Sequence, residues 1–131
     1  MRVMIDTNVL VSALLFPNQQ MDKLMYKITT EHHFVLSSYI VEELLNVARR
    51  KFPDKLDAID TLLSQLLYEL ISSPKQPKQG LFEFRDKKDY PVLYSAVVDG
   101  VDILITGDRD FFGIKLEKPD IVTPAEFLER Y

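Results

Sequence analysis

Apolar residues along this chain occur either in short continuous runs or at every third or fourth position. The short runs predict strands at 3–5, 34–36, 70–71, 103–105 and 121–122. The spaced runs predict helices at 9–15, 21–28, 39–51, 54–70, 89–98 and from Pro124 onward. Strands that alternate with helices indicate right-handed crossovers. The expected fold class is therefore α/β, a three-layer α/β/α sandwich around a central, mostly parallel sheet.

Length and composition limit the classes of protein that fit. At 131 residues the chain is expected to form a single domain, 1–131, with its own core. The absence of cysteine excludes disulfides and thiolate metal sites. No apolar run is long enough for a membrane helix, and no secretion signal is recognisable, so we expect a cytoplasmic protein. The net charge of −4 weighs weakly against a nucleic-acid ligand.

Two aspartates follow strands that are predicted to be buried. Asp6 comes directly after 3–5, and Asp108 follows 103–105 and the turn that begins at Thr106. The carboxyl ends of parallel strands are where α/β proteins bind ligands. Carboxylate oxygens suit hard divalent cations, which indicates chemistry on phosphates, with Thr106 and Asn8 placed to orient the acids or metal-bound water. The ordinary alternative is that Asp6 caps the following helix, although Thr7 or Asn8 would cap a helix beginning near Val9 more naturally.

Further acids are candidates for the same site, and each has an ordinary explanation. Glu42 and Glu43 lie on the helix at 39–51, where the apolar arc slightly favours Glu43 and most glutamates are simply solvated. Asp86 and Asp89 precede a helix, where acids commonly bind free N–H groups. Asp110 belongs to a Gly-Asp-Arg-Asp turn in which the acids can bind the backbone. The joint occurrence of these acids is the signal.

Four segments together resemble the PIN-domain family, and more closely the toxin components of toxin–antitoxin pairs. The segments are 5–10 (IDTNVL), 36–44 (LSSYIVEEL), 85–96 (RDKKDYPVLYSA) and 105–111 (ITGDRDF). The resemblance runs nearly end to end. It implies an acidic quartet of Asp6, Glu43, Asp89 and Asp108, with Asp110 auxiliary. It also favours Glu43 over Glu42 and Asp89 over Asp86.

The resemblance implies a ribonuclease directed at single-stranded RNA, with Mg²⁺ or Mn²⁺ as cofactor. Asp6 and Asp108 would be the principal ligands, Asp89 would complete the site, and Glu43 would hold a metal or its water. An antitoxin partner, a homodimer and RNA as substrate are implied in the same way. Six basic residues are candidates for phosphate contacts, although a helix C-terminus alone explains the first three: Arg49, Arg50, Lys51, Lys87, Lys88 and Arg109.

Two alternatives remain open at this point. A haloacid-dehalogenase-type phosphatase would use Asp6 as its nucleophile, but it requires an acid where Asn8 stands. A non-catalytic PIN-like binding scaffold would be expected to have an incomplete acidic set. We expect no catalytic role for His32 and His33, and we expect the leucine-rich face between 56 and 70 to belong to the core.

Overall fold

A five-stranded, entirely parallel sheet forms the centre of the molecule. A computed structural model describes all residues from Met1 to Tyr131. The strands are β1 (Arg2–Ile5), β2 (His33–Ser37), β3 (Glu69–Ile71), β4 (Ile103–Ile105) and β5 (Asp120–Val122). Their order in the sheet is β3-β2-β1-β4-β5, and every neighbouring pair is parallel. The first strand of the sequence is therefore the central strand of the sheet.

Six helices connect and cover these strands. They are α1 (Thr7–Leu15), α2 (Gln19–Glu31), α3 (Ser38–Lys51), α4 (Leu56–Gln65), α5 (Asp89–Val98) and α6 (Pro124–Arg130). Short 3₁₀ turns occur at Pro53–Lys55 and Arg109–Phe111. This arrangement confirms the predicted three-layer α/β/α sandwich. None of the helices combines the length and the apolar character needed to span a membrane.

The core explains why the strands are so uniformly apolar. Because helices cover a parallel sheet, successive side chains of a strand are buried whichever face they point to. Val3, Met4 and Ile5 of β1 accordingly have no exposed surface. Helix α3 instead buries one stripe, Ile40 and Leu44 with Ala48, at a spacing of four residues. The two sequence patterns thus reflect two kinds of burial.

Two boundaries differ from those expected from the sequence. Helix α1 begins at Thr7 rather than Val9, because Asp6 itself is the N-cap and its Oδ1 accepts the Val9 N–H at 2.9 Å. Helix α4 ends at Gln65 rather than at residue 70, because the chain turns extended and 69–71 pair with β2. Leu70 lies on this edge strand and is 58% exposed. The prediction that the leucine-rich face is buried along its whole length to Leu70 is therefore wrong at its end.

The different environments of two leucines on this face lead to a test by substitution. We expect Leu63→Ala to lower the free energy of unfolding by about 2–5 kcal/mol, because Leu63 is 8% exposed and its loss leaves a cavity. Leu70→Ala should change it by no more than about 0.5 kcal/mol. Urea denaturation of the two variants measures both effects. Equal losses at the two positions would contradict the boundary between α4 and β3.

Candidate metal centre

Asp6 is fixed at the carboxyl end of the central strand by bonds to three elements. Its N–H donates to the carbonyl oxygen of Ile105 at 3.0 Å, which continues the pairing of β1 with β4. The carboxylate is 5% exposed; Oδ1 accepts the Val9 N–H and Oδ2 accepts the hydroxyl of Thr106. The Thr106 Oγ1 in turn accepts the N–H of Asp108 at 3.0 Å. One buried threonine therefore positions both strand-end aspartates.

Asp108 and Asp110 lie in the tight turn that follows β4. The Asp108 Oδ1 accepts the Asp110 N–H at 2.9 Å and caps the 3₁₀ turn Arg109–Phe111. The Asp110 Oδ1 accepts two bonds from the Arg85 guanidinium, from Nη2 at 2.8 Å and from Nε at 3.2 Å. The fully buried Phe111 ring anchors the turn to the core. The backbone contact expected for the acids of this turn is therefore present at Asp108, whereas the Asp110 carboxylate is bound by the Arg85 side chain.

Asp89 completes this group from the first turn of α5. Single carboxylate oxygens of Asp89, Asp108 and Asp110 all lie within 4.8 Å of one another. The Asp89 Oδ2 is buried and has no hydrogen-bond partner. An acid that merely capped α5 would accept an N–H, so the capping explanation does not account for this oxygen.

Burial and mutual repulsion dominate the electrostatics of the cluster. Burial is the main cause that raises the pKa of Asp89 to about 7, and the adjacent Asp108 carboxylate is the next. Burial also raises the pKa of Asp6, with smaller contributions in the same direction from Asp108 and Glu43, while the Thr106 and Val9 donors oppose them. The carboxylates at this edge of the sheet therefore repel one another: Asp108 raises the pKa of both Asp6 and Asp89, and Glu43 raises that of Asp6.

A divalent cation fits these residues. Mg²⁺ takes oxygen ligands at about 2.1 Å in octahedral geometry, so adjacent ligands lie about 3.0 Å apart and opposite ligands about 4.2 Å apart. Oxygens of Asp89, Asp108 and Asp110 lie within 4.8 Å of one another, so small side-chain adjustments would bring all three to one cation. A cation would also give the Asp89 Oδ2 the partner that it lacks. The donors are all hard carboxylate oxygens, which favours Mg²⁺ or Mn²⁺ over softer metals.

The other predicted residues lie around this cluster rather than within it. Glu43, on α3, is partly exposed and lines a cleft that also reaches Asp89 and Asp108. Asn8 and the more exposed Glu42 line the same cleft. Asp6 was expected as a principal ligand, and Glu43 as a ligand of the metal or of its water. Both lie outside the group of three converging oxygens. Asp110, expected only as auxiliary, is inside it.

Asp86 and the two histidines have ordinary structural roles. The Asp86 Oδ1 accepts the N–H of Lys88 at 3.0 Å in the turn before α5. His33 Nε2 lies 2.8 Å from a carboxylate oxygen of Glu69. The His32 ring packs against a buried phenylalanine, with ring centroids 5.4 Å apart. None of the three is in the cluster of converging carboxylates.

Two residues near the site were not identified from the sequence. Arg85 holds Asp110 although 25 residues separate them, so no local pattern could have paired them. Tyr39 precedes Glu43 by four residues, and the pKa of its hydroxyl is raised first by burial and then by the Glu43 carboxylate. This second pair had a sequence signal, because positions i and i+4 share one helix face.

The fold and the site define an α/β protein with a carboxylate cluster at the edge of a parallel sheet. Comparison with protein-family models matches residues 2–110 to the PIN domain. The chain belongs to the PIN-domain family. None of the curated proteins is similar enough to this chain to count as a match.

Two of the solved structures that share this fold are VapBC complexes. One is a crystal structure of VapBC2 from Rickettsia felis bound to a DNA fragment from their promoter; a chain in it aligns with a TM-score of 0.70 and 19% identity, over 93% of this chain and 97% of that one. The other is DNA-bound VapBC from Salmonella typhimurium, with a TM-score of 0.69 and 15% identity, over 95% of this chain and 98% of that one. These similarities extend over nearly the whole of each chain and concern the fold.

The phosphatase alternative does not agree with these findings. The family is the PIN domain. A nucleophilic Asp6 would need a free carboxylate oxygen facing the substrate, yet Val9 and Thr106 each donate to one of its two oxygens. Asp6 is also nearly inaccessible to solvent. We therefore set this alternative aside.

Repulsion within the cluster predicts that neutralising Asp89 stabilises the metal-free protein. The Asp89 carboxyl has a pKa of about 3.9 in the unfolded chain and of about 7 in the folded protein. Folding therefore becomes less favourable as the pH rises from about 3.9 to about 7, because the unfolded chain loses this proton more easily. At pH 8 in EDTA, Asp89→Asn should raise the melting temperature by a few degrees, or about 1 kcal/mol after allowance for solvent screening. At pH 4 the difference should largely disappear.

The matched control is Asp60→Asn, which removes an exposed carboxylate in the middle of α4. It should leave the melting temperature unchanged at both pH values. Thermal denaturation followed by circular dichroism measures all three proteins. A lower melting temperature for Asp89→Asn at pH 8 would contradict the proposed repulsion.

Proposed function

We propose that this protein is a divalent-metal-dependent nuclease that hydrolyses phosphodiester bonds of single-stranded RNA. The observation that carries the proposal is the convergence of Asp89, Asp108 and Asp110 around a buried, unpartnered carboxylate oxygen. Membership of the PIN-domain family supports it. The completeness of the acidic set favours catalysis over the non-catalytic scaffold.

The residues of the site divide into ligands and positioning residues in this proposal. Asp89, Asp108 and Asp110 would hold the cation, and Asp6 would complete its environment from β1. A bound Mg²⁺ or Mn²⁺ supplies an activated water and neutralises the negative charge that develops on the phosphate. Thr106 fixes the Asp6 carboxylate and the Asp108 backbone.

Partly exposed Glu43 would act on the water, and exposed Arg85 would act on the turn. Glu43 lines the cleft beside the cluster. There its carboxylate can orient an attacking water or accept a proton from that water. Arg85 holds the Asp110 carboxylate in place by two hydrogen bonds to its Oδ1.

We also propose that the protein is the toxin of a toxin–antitoxin pair, with an antitoxin protein as partner and a homodimer as its own assembly state. The support for the toxin role and the antitoxin partner is the shared fold with chains of two VapBC complexes over nearly their full length. The homodimer rests on the family resemblance alone. Residues 1–131 would form one nuclease domain. Beyond residue 110, β5 extends the same sheet, and Phe127 of α6 is buried in the common core.

Cleavage of single-stranded RNA by the purified full chain tests the catalytic proposal. We expect cleavage with Mg²⁺ or Mn²⁺, none with EDTA, and a loss of at least about 100-fold in Asp108→Asn, because the cation that neutralises the transition state loses a carboxylate ligand. Glu43→Gln should also lose activity, whereas its neighbour Glu42→Gln, lining the same cleft, should retain it.

Circular dichroism of each variant separates loss of function from loss of folding. Cleavage that persists in EDTA and in Asp108→Asn would contradict a carboxylate–metal mechanism. A folded protein that binds Mn²⁺ but cleaves no RNA would favour the non-catalytic scaffold.

A further inference from the structure

The cleft beside the acidic cluster continues into a part of opposite charge. It has a volume of about 590 Å³, which is in the range of ligand pockets, about 300–1,000 Å³. Asp89 and Asp108 line one part of it. Phe16, from the end of α1, and Phe52, which follows α3, line another together with the last two residues of that helix. We call this second part the basic–aromatic end; it comprises Phe16, Arg50, Lys51 and Phe52.

The cations of the basic–aromatic end have no acidic partners. Arg50 and Lys51 are exposed and take part in none of the ion pairs of the structure. The chain as a whole has a net charge of −4, so their positive charge is a local feature. The dipole of α3 favours cations in its last turn, and it does so for Arg49 as much as for Arg50 and Lys51. Arg49, however, donates to Asn46 Oδ1 at 3.0 Å and does not line the cleft.

The aromatic side chains form a supported, accessible surface. Phe16 is 50% exposed, so its side chain is accessible to a ligand. Its centroid lies 5.4 Å from that of Phe52, with the ring planes at 70°. Lys55 Nζ lies 5.5 Å from the Phe16 centroid and adds a further positive charge. A ring held in this way offers apolar surface to a ligand at small cost in side-chain entropy.

We propose that the basic–aromatic end binds a nucleotide of the RNA next to the phosphate that is cleaved, and this inference rests on the proposed function. Its base stacks on Phe16, and its phosphate contacts Arg50 and Lys51. Proteins that bind single strands combine such cations with aromatic rings, and the stacking tolerates any base. A base in a duplex is already stacked on its neighbours, so this surface selects single strands.

Fluorescence anisotropy with a labelled eight-nucleotide RNA tests this subsite apart from catalysis. All proteins carry Asp108→Asn and the buffer contains EDTA, so the RNA is not cut. Phe16→Leu should weaken binding by about 5- to 150-fold, the range measured for loss of one stacked base. Phe16→Tyr should restore it. Tyr26→Leu is the control, since Tyr26 is 72% exposed on α2 and lies outside the cleft.

Salt dependence and abasic RNA distinguish phosphate contacts from stacking. Arg50→Gln and Lys51→Gln should each reduce the slope of log affinity against log salt by about 0.7, the value for one phosphate contact on a single strand. Arg49→Gln, on the same helical turn, should not change it. Replacing successive nucleotides by abasic residues should weaken binding at one position, and this loss should be absent in Phe16→Leu.

Several results would overturn the assignment. Equal affinities of Phe16→Leu and Tyr26→Leu would exclude the stacking surface and would leave it available to a protein partner. Equal salt slopes for Arg49→Gln, Arg50→Gln and Lys51→Gln would exclude the phosphate contact.

If the wild-type chain cleaves RNA while Phe16→Leu binds normally, the subsite fails and the nuclease proposal stands. If the variants behave as expected but the wild type cleaves nothing, the nuclease proposal fails and the RNA subsite stands.

Discussion

The parallel pairing of β1 with β4 is the contact on which the site depends. It brings together two parts of the chain about one hundred residues apart, and the Thr106 hydroxyl continues it by binding the Asp6 carboxylate. The Thr106 Oγ1 also accepts the Asp108 N–H, so one side chain after β4 links the Asp6 carboxylate at the end of β1 to the turn that contains Asp108. The positions of both strand-end acids therefore follow from sheet register and one buried side chain.

The same arrangement brings like charges close together. Burial and the adjacent carboxylates raise the pKa of Asp89 to about 7, while Arg85 is the one cation paired with the cluster, through Asp110. A folded state that holds such groups together gives up stability at neutral pH. A divalent cation would remove this cost, and a phosphodiester would approach through the cleft beside it. Folding stability and metal binding are therefore expected to be coupled at this edge.

Much of this arrangement is predictable from the sequence, and the exceptions have physical reasons. The alternation of buried runs and helical spacing predicts the sheet, and Asp6 and Asp108 stand out because each follows such a run. The end of α4 was misplaced because the leucines continue at helical spacing into β3, where pairing with β2 decides the conformation. The position of Asp110 within the cluster and its bond to Arg85 depend on how the 72–88 connection folds back, which no local pattern encodes.

Titration of Mn²⁺ into the metal-free protein, followed by isothermal calorimetry at pH 8, is the most direct test of the converging carboxylates. We expect saturable binding to the wild-type chain, strong weakening in Asp89→Asn and Asp108→Asn, and no change in the exposed control Asp60→Asn. Binding of equal strength in all four proteins, or no binding to the wild type, would contradict the assignment of this cluster as a metal centre.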